Sequence, residues 1–517
     1  MMNKKLIYVL TVATAFGSAA AADERTLETQ AALKALGYKI GAVDGSWGKK
    51  TEAAITEFAA KNGKAYAGEV TPDLWISLAA QAKEHFPMPY LTLDAPLQSI
   101  KSNNLLLTEG DVYKPENCEW LVGFYQDQNW GRAKPVYIEN YKYAFREIVT
   151  PDVNVDDDSF ERQSNELHDS LIATNQACYA LNNIEACKTI IEVASWMQED
   201  GAFVFNSGEE PSAPKYYFTT KHILNPLLVG YSSAVDKIGK PLNHTEIGDW
   251  FYAALIQNSY DVFLPERHAP KDMQFRSDPE NATSTCEKYA GSFQHSIYHA
   301  LGLSLYGVMW GDARLSSQAY DQLLYSVNES GALSDDGVML CEASRGSNAM
   351  FYSGANMTNI LYIVTLARNQ GVELENLKLV TAIEKAGTFI FDAAFDFSKI
   401  ESYASENQMS WCNEDYRNQC MYSAFGRIAS FSWMRHFVDL YPESALSKRI
   451  LEIQNGPLNS DEEATRVSGA ISKSNFMTSE IKWSLPVEGN DTYHAPNEPH
   501  FLNIMDANLL SNVCAIP

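Results

Sequence analysis

From Glu119 to about Gly456 the chain is a succession of segments in which apolar residues recur at helical spacing. Examples are Ser164 to Leu181, Ala186 to Met197, Ile247 to Leu264 and Leu379 to Phe391. Each such segment has one face that must be buried, and strand-type alternation is sparse. With no fixed-period repeat, a run of roughly 340 residues of this kind is expected to fold as paired helices stacked into a barrel or incomplete toroid, an all-α (α/α) architecture. The composition permits it, since 45% of the 517 residues are hydrophobic and 20% charged. Residues 116–456 form this domain.

The chain begins differently. Lys4 and Lys5 precede an apolar stretch from Leu6 to Phe16, and Ala20-Ala21-Ala22 supplies the small residues of a cleavage site, so residues 1–22 read as a signal peptide. The stretch is too short to span a bilayer, which takes about 20 residues, and no membrane span is expected. The protein is expected to be exported, to the periplasm or the medium. Its formal charge of −25 disfavours nucleic acid as a partner, and an acidic substrate would need a local basic site.

An oxidising compartment suits the eight cysteines, all of which follow the leader. Two local pairs are expected as disulfides, Cys178 with Cys187 and Cys412 with Cys420. There is no CxxC, which argues against a zinc ribbon.

Residues 25–81 form a compact unit of three short helices. The first carries Leu27, Ala31, Ala32, Ala35 and Leu36 and stops at Gly37. The second is expected to start on Thr51 as N-cap and to bury Ala54, Ile55 and Phe58, and the third runs from Val70 to Leu78. Its elements LGY, VDG, WG followed by Thr51, and a trailing LW with Leu78 together resemble the peptidoglycan-binding-like module found on many bacterial wall and secreted enzymes. The resemblance implies peptidoglycan as a partner. Residues 82–115, with Pro87, Pro89 and Pro96, read as a linker, and residues 457–517 lack clear periodicity.

The chemistry is concentrated in two segments. In GSFQHSIYHALGLSLYGVMWGD, residues 291–312, an apolar stripe begins just after Gln294 and His295. An amide and an imidazole at a helix mouth can hold an anion, or can simply be a cap and a hydrogen-bonded core histidine. His295 and His299 stand four apart, but no acid lies between them, so this is not a zinc-protease motif, and no metal or organic cofactor is expected. In residues 334–371, Arg345 and Tyr352 stand seven apart, two turns on one face if the segment is helical there. There is no GxSxG, P-loop or GxGxxG.

Together the two segments resemble the alginate lyases of polysaccharide lyase family five. Gln294-His295-Ser296 takes the place of the family's Asn-His element. Asp336-Gly337, Glu342, Arg345-Gly346 and Tyr352 follow its second element in order and spacing. The resemblance implies an (α/α) toroid that cleaves an acidic polysaccharide by β-elimination, with mannuronate-rich alginate as the leading substrate. Gln294, His295 and Arg345 would neutralise the uronate carboxylate, and Tyr352 would move the protons. His295 would neutralise or, for the opposite stereochemistry at C5, act as the base. Tyr298, Trp411 and Arg417 are candidates for contacts with neighbouring sugars. A lyase on another uronan such as glucuronan, a glycoside hydrolase, and a non-catalytic polysaccharide-binding protein are the alternatives.

Overall fold

The computed structural model describes residues 24–85, 97–101, 167–168, 171, 174–175, 178, 183–204, 219–257, 284–289, 291–372, 378–396, 398–405 and 433–455. These residues are helical and connecting segments, with one isolated antiparallel bridge between Leu333 and Met339. The expected all-α class is what the chain adopts.

The N-terminal unit consists of α1 (Glu24–Ala35), α2 (Lys49–Lys61) and α3 (Pro72–Ala82). Leu33, Ile55, Phe58, Leu74, Trp75 and Leu78 fill its core. The buried amide of Gln30 organises the loop between α1 and α2. Its oxygen accepts from the N–H groups of Asp44 and Gly45, and its nitrogen donates to Asp44 Oδ1, Ser46 C=O and Thr51 Oγ1. Thr51 is therefore not the N-cap. Helix α2 starts three residues earlier, Gly48 takes the cap position, and the Thr51 hydroxyl serves Gln30 instead. Helix α3 starts two residues later than the apolar pattern suggests, because Thr71 accepts the Leu74 N–H and Pro72 sits where no N–H is needed.

The larger region alternates two kinds of helix. One row contains α4 (Ile184–Glu199), α6 (His244–Gln257), α9 (Ala313–Asn328), α12 (Leu379–Phe395) and α15 (Ala445–Asn455). The other contains α5 (Asn225–Ile238), α8 (Ser296–Trp310), α11 (Ala349–Asn369) and α14 (Trp433–Leu440). In the second row α5 packs on α8, α8 on α11 and α11 on α14, while in the first α4 packs on α6, α9 on α12 and α12 on α15. Hairpins such as α8–α9 join the rows, and the short α13 (Ser398–Ala404) packs beside α12. This alternation is the (α/α) toroid expected from the sequence. Helix α8 is apolar around its whole circumference, as an inner-row helix must be.

Inner helices approach closely through a repeated device. Asn225 Nδ2 donates 2.9 Å to the Tyr298 carbonyl, and a Cβ at Gly302, one turn on, would lie 2.6 Å from Asn225 Oδ1. Asn175 does the same to the Pro226 carbonyl, against Gly230. Inner helices thus run side by side in the same sense, and their N-terminal ends gather at one mouth.

The N-terminal unit seats at the other end. Helix α3 packs on α6, Arg314 donates 2.7 Å to the Lys83 carbonyl, and Lys83 Nζ lies 5.7 Å and 6.0 Å from the ring centroids of Tyr252 and Tyr306. Residues 97–101 then run along the larger region. The Leu97 N–H reaches Ser317 Oγ, and the Lys101 N–H reaches Gln370 Oε1.

Candidate active site

Two of the inner helices are preceded by π-helical turns, Thr219–Leu224 before α5 and Gly291–His295 before α8. A π turn widens the backbone and swings side chains away from ordinary helical register, and such turns cluster at functional sites. Gln294 and His295 are the last two residues of the second turn, so they sit at the mouth as the sequence suggested. Ser296, next in line, latches the start of α8 to α9. Its hydroxyl pairs with Ser326 Oγ at 2.8 Å, and Gln322 Nε2 donates to both its carbonyl and its hydroxyl.

Arg345 does not share a helix with Tyr352. Arg345 follows a short turn of helix α10 (Leu340–Ala343), a 3-10 turn, Gly346–Asn348, comes between it and Tyr352, and α11 begins only at Ala349. The two side chains nevertheless meet, with the guanidinium carbon 4.6 Å from the Tyr352 ring centroid. Arg345 Nη2 also donates 3.1 Å to Gln294 Oε1. Residues from two distant segments therefore converge on one guanidinium. Gln294 is buried, whereas His295, Arg345 and Tyr352 are half-buried.

Helix α7 (Thr285–Tyr289) holds the two segments together. Cys286 at its start is disulfide-bonded to Cys341, the residue four before Arg345. This pairing, between cysteines 55 apart in sequence, was not legible from spacing; the local Cys178–Cys187 bond was expected and forms. Cys412 and Cys420 lie outside the described residues, as do Trp411 and Arg417.

Burial and the neighbouring cations dominate the electrostatics of the mouth. Burial, reinforced by the positive charges of Arg345 and Lys221, holds the His295 imidazole well below its ordinary 6.5 and so neutral. Glu342 is fully buried one turn before Arg345, and burial pushes its carboxyl up to about 7 against the opposing pull of Arg345. Asn356 Nδ2 donates 2.7 Å to its Oε1, while Oε2 has no hydrogen-bond partner among the described residues. The N-terminal ends of α8 and α11 add positive dipole ends to the same mouth. Tyr298 is buried in the wall, with Lys221 Nζ 5.3 Å from its ring centroid. His299 points away from His295's task, its Nδ1 3.1 Å from Gln322 Nε2. Asp336 and Gly337 form a turn packed beside α12, where Lys385 Nζ binds the Asp335 carbonyl; Asp336 is exposed, so this element is architectural. Among the described residues, no group of three or more His, Cys, Asp or Glu side chains is arranged to hold a metal.

The sequence reading passed over Lys221, His222 and His168. Lys221 and His222 sit in the first π turn, and the His168 and His222 rings are 5.2 Å apart. A lysine-histidine pair leading an apolar helix was the available signal.

Comparison with known proteins agrees with the sequence motifs. Residues 287–397 match the alginate lyase family model, and residues 23–78 match the peptidoglycan binding domain model. No curated protein matches the chain. Among solved structures, alginate lyase A1-III from Sphingomonas species A1 aligns at 16% identity over 56% of this chain and 70% of that one, with a TM-score of 0.35. A variant of alginate lyase A1-III complexed with a tetrasaccharide aligns at 12% identity over 67% of this chain and 90% of that one, with a TM-score of 0.40. The chain is thus similar to the alginate lyase family across the segment that builds the inner-helix mouth, and to the peptidoglycan binding domain family across its three N-terminal helices.

Proposed function

We propose that the protein is an exported polysaccharide lyase that cleaves a polyuronate, mannuronate-rich alginate first among them, by β-elimination at the mouth of the inner helices. The observation that carries this reading is the single guanidinium of Arg345 placed against both Gln294 Oε1 and the Tyr352 ring.

The difficulty of the reaction lies in removing the C5 proton next to a carboxylate, because the resulting carbanion adds negative charge to an already anionic group. Arg345, the Gln294 amide and the neutral His295 imidazole are suited to take up that charge as it develops. Tyr352 takes the C5 proton, the electron pair forms the C4=C5 double bond, the C4–O4 bond breaks, and the departing O4 receives a proton from the same residue. The Arg345 charge beside the ring offsets the negative charge on the tyrosine once its proton leaves. Neutral His295 can donate its ring N–H to the carboxylate, the neutralising role, while burial and its cationic neighbours weaken it as a base. Tyr298 from the described wall, together with Trp411 and Arg417, supplies further sugar contacts in this reading. Gln294 carries one methylene more than the family's Asn, and this bears on which uronate the site prefers.

The N-terminal unit is proposed to bind peptidoglycan, and residues 1–22 to direct export. Among the described residues no helix is long and apolar enough to cross a membrane.

The test is ultraviolet absorbance during incubation with polymannuronate, polyguluronate and glucuronan separately. Elimination leaves a conjugated double bond that absorbs, whereas hydrolysis leaves none. Rising absorbance on one substrate names both reaction and uronan; a flat trace on all three with folded protein overturns the reading.

A further inference from the structure

The mouth contains a second cation, this one buried, that neither the motif resemblance nor the chemistry above uses. Lys221 is only 7% exposed, an expensive position for an ammonium group. It lies in the π turn leading α5, as Gln294 lies in the π turn leading α8, and the two helices are neighbours. Its Nζ is 5.3 Å from the Tyr298 ring centroid, and its charge acts on both His295 and His168. His222, the next residue, packs against His168. Burial holds His168 neutral, at about 3.

We propose that Lys221 binds a carboxylate of the substrate, so that the site is a two-cation cradle in which Arg345 holds the reacting uronate and Lys221, flanked by His222 and His168, holds the carboxylate of an adjoining sugar. The inference rests on the polyuronate reading and extends it. A polyuronate carries one carboxylate per residue, so a ligand that places one on Arg345 necessarily brings others along the chain. A chain of net charge −25 repels such a polymer at long range, and a second local cation in the cleft counters that repulsion where it matters. Tyr298 backs the lysine from within the wall, with its ring against the ammonium group and its backbone carbonyl tied to Asn225.

The experiment uses the full chain and a short oligouronate, with its neutral methyl ester as control. Binding is measured calorimetrically for wild type, Lys221→Gln and Lys221→Arg. Loss of one charge-assisted contact predicts affinity for the charged oligomer falling roughly tenfold or more in Lys221→Gln, largely restored in Lys221→Arg, with ester binding unchanged. Equal losses for charged and neutral ligands, or wild-type affinity in Lys221→Gln, would overturn the proposal. Should the glutamine variant fail to fold, a crystal structure of Tyr352→Phe with the oligomer bound decides the matter without touching Lys221. Nζ within hydrogen-bond distance of a carboxylate supports the cradle, and Nζ turned away from every carboxylate refutes it. If wild type binds the oligomer and only Lys221 proves irrelevant, the lyase reading survives; if wild type binds no polyuronate, both fall.

Discussion

Helix α8 ends in two unlike environments. At its Trp310 end, aromatic rings close on one another: Tyr306 and Trp310 stack at 4.9 Å, His244 and Trp310 at 5.6 Å, and Tyr231 and Trp310 at 6.0 Å. Lys83 of the N-terminal unit caps this cluster from outside. At its Ser296 end, the neighbours are a guanidinium, a buried lysine, a carboxyl raised to about 7 and an imidazole held neutral. A helix of this length spans about 22 Å, so the N-terminal unit is well removed from the mouth. The difference teaches which end is built for stability and which for chemistry. Polar and ionisable groups gather at the mouth, while the rings at the base gain area and contacts. Two buried glutamines carry the same lesson. Gln30 makes five hydrogen bonds to four residues and holds a loop; Gln294 is tied to the cation that the proposed substrate would also bind.

If the two ends have separate tasks, substitutions at each should move separate quantities. At the mouth, Arg345→Ala and Tyr352→Phe are expected to lower kcat by roughly 10²–10⁴-fold while the thermal midpoint stays within a few degrees of wild type. Steady-state absorbance kinetics and calorimetry check this; a large fall in midpoint with little fall in kcat would reverse the assignment. At the base, Trp310→Ala is expected to cost about 3–5 kcal/mol of stability and to leave kcat per folded molecule unchanged. Denaturant unfolding reads the first and an active-site-normalised assay the second.

The disulfides sharpen the contrast. Closing a 55-residue loop, Cys286–Cys341 is expected to contribute about 4 kcal/mol, against about 2.5 kcal/mol for the nine-residue Cys178–Cys187 loop. Because Cys341 anchors the turn before Arg345, the Cys286→Ser, Cys341→Ser double variant should also lose activity beyond its loss of folded protein. The Cys178→Ser, Cys187→Ser pair should lose stability only.

Acid sensitivity follows from histidines held neutral by burial. His168, His299 and His436 all lie near 3 in the folded chain against about 6.5 when unfolded. The unfolded chain binds the extra protons, so stability is full above about pH 6.5 and falls toward pH 3, by up to about 1.4 kcal/mol per pH unit for each histidine. Glu342 acts in the opposite sense. Its raised value favours the folded state below about 4.5, and that contribution is lost as pH rises through about 7. Three histidines outweigh one carboxyl, so a pH series of urea midpoints should drop on the acid side. A flat series between pH 7 and 4 would show these imidazoles to be solvated. The smallest effect is expected at the seam with the N-terminal unit, where Arg314→Ala should cost about 1 kcal/mol, read by the same unfolding series.

Much of this was legible in the sequence. Apolar spacing located α4, α8 and α12 to within a few residues because buried stripes leave a periodic trace. The motif residues Gln294, His295, Arg345 and Tyr352 do come together. The means by which they do so was hidden, since spacing cannot reveal that a 3-10 turn separates Arg345 from α11 or that Cys286 reaches Cys341. Thr51 misled because a hydroxyl near a helix start suits a cap equally well as a tertiary partner, and the partner, Gln30, lies 21 residues away. Lys221 was missed because a lysine before an apolar helix ordinarily faces solvent, and only packing against α8 shows that this one does not.

The central claim is that the Arg345–Tyr352 pair eliminates across C4 and C5 of a polyuronate. The most direct measurement is mass spectrometry of the products formed from polymannuronate by wild type and Tyr352→Phe, followed in parallel by ultraviolet absorbance. The account predicts unsaturated oligomers from wild type, lighter by one water than hydrolysis products and absorbing in the ultraviolet, and none above background from Tyr352→Phe. Saturated products, or unsaturated products formed equally fast by Tyr352→Phe, would contradict it.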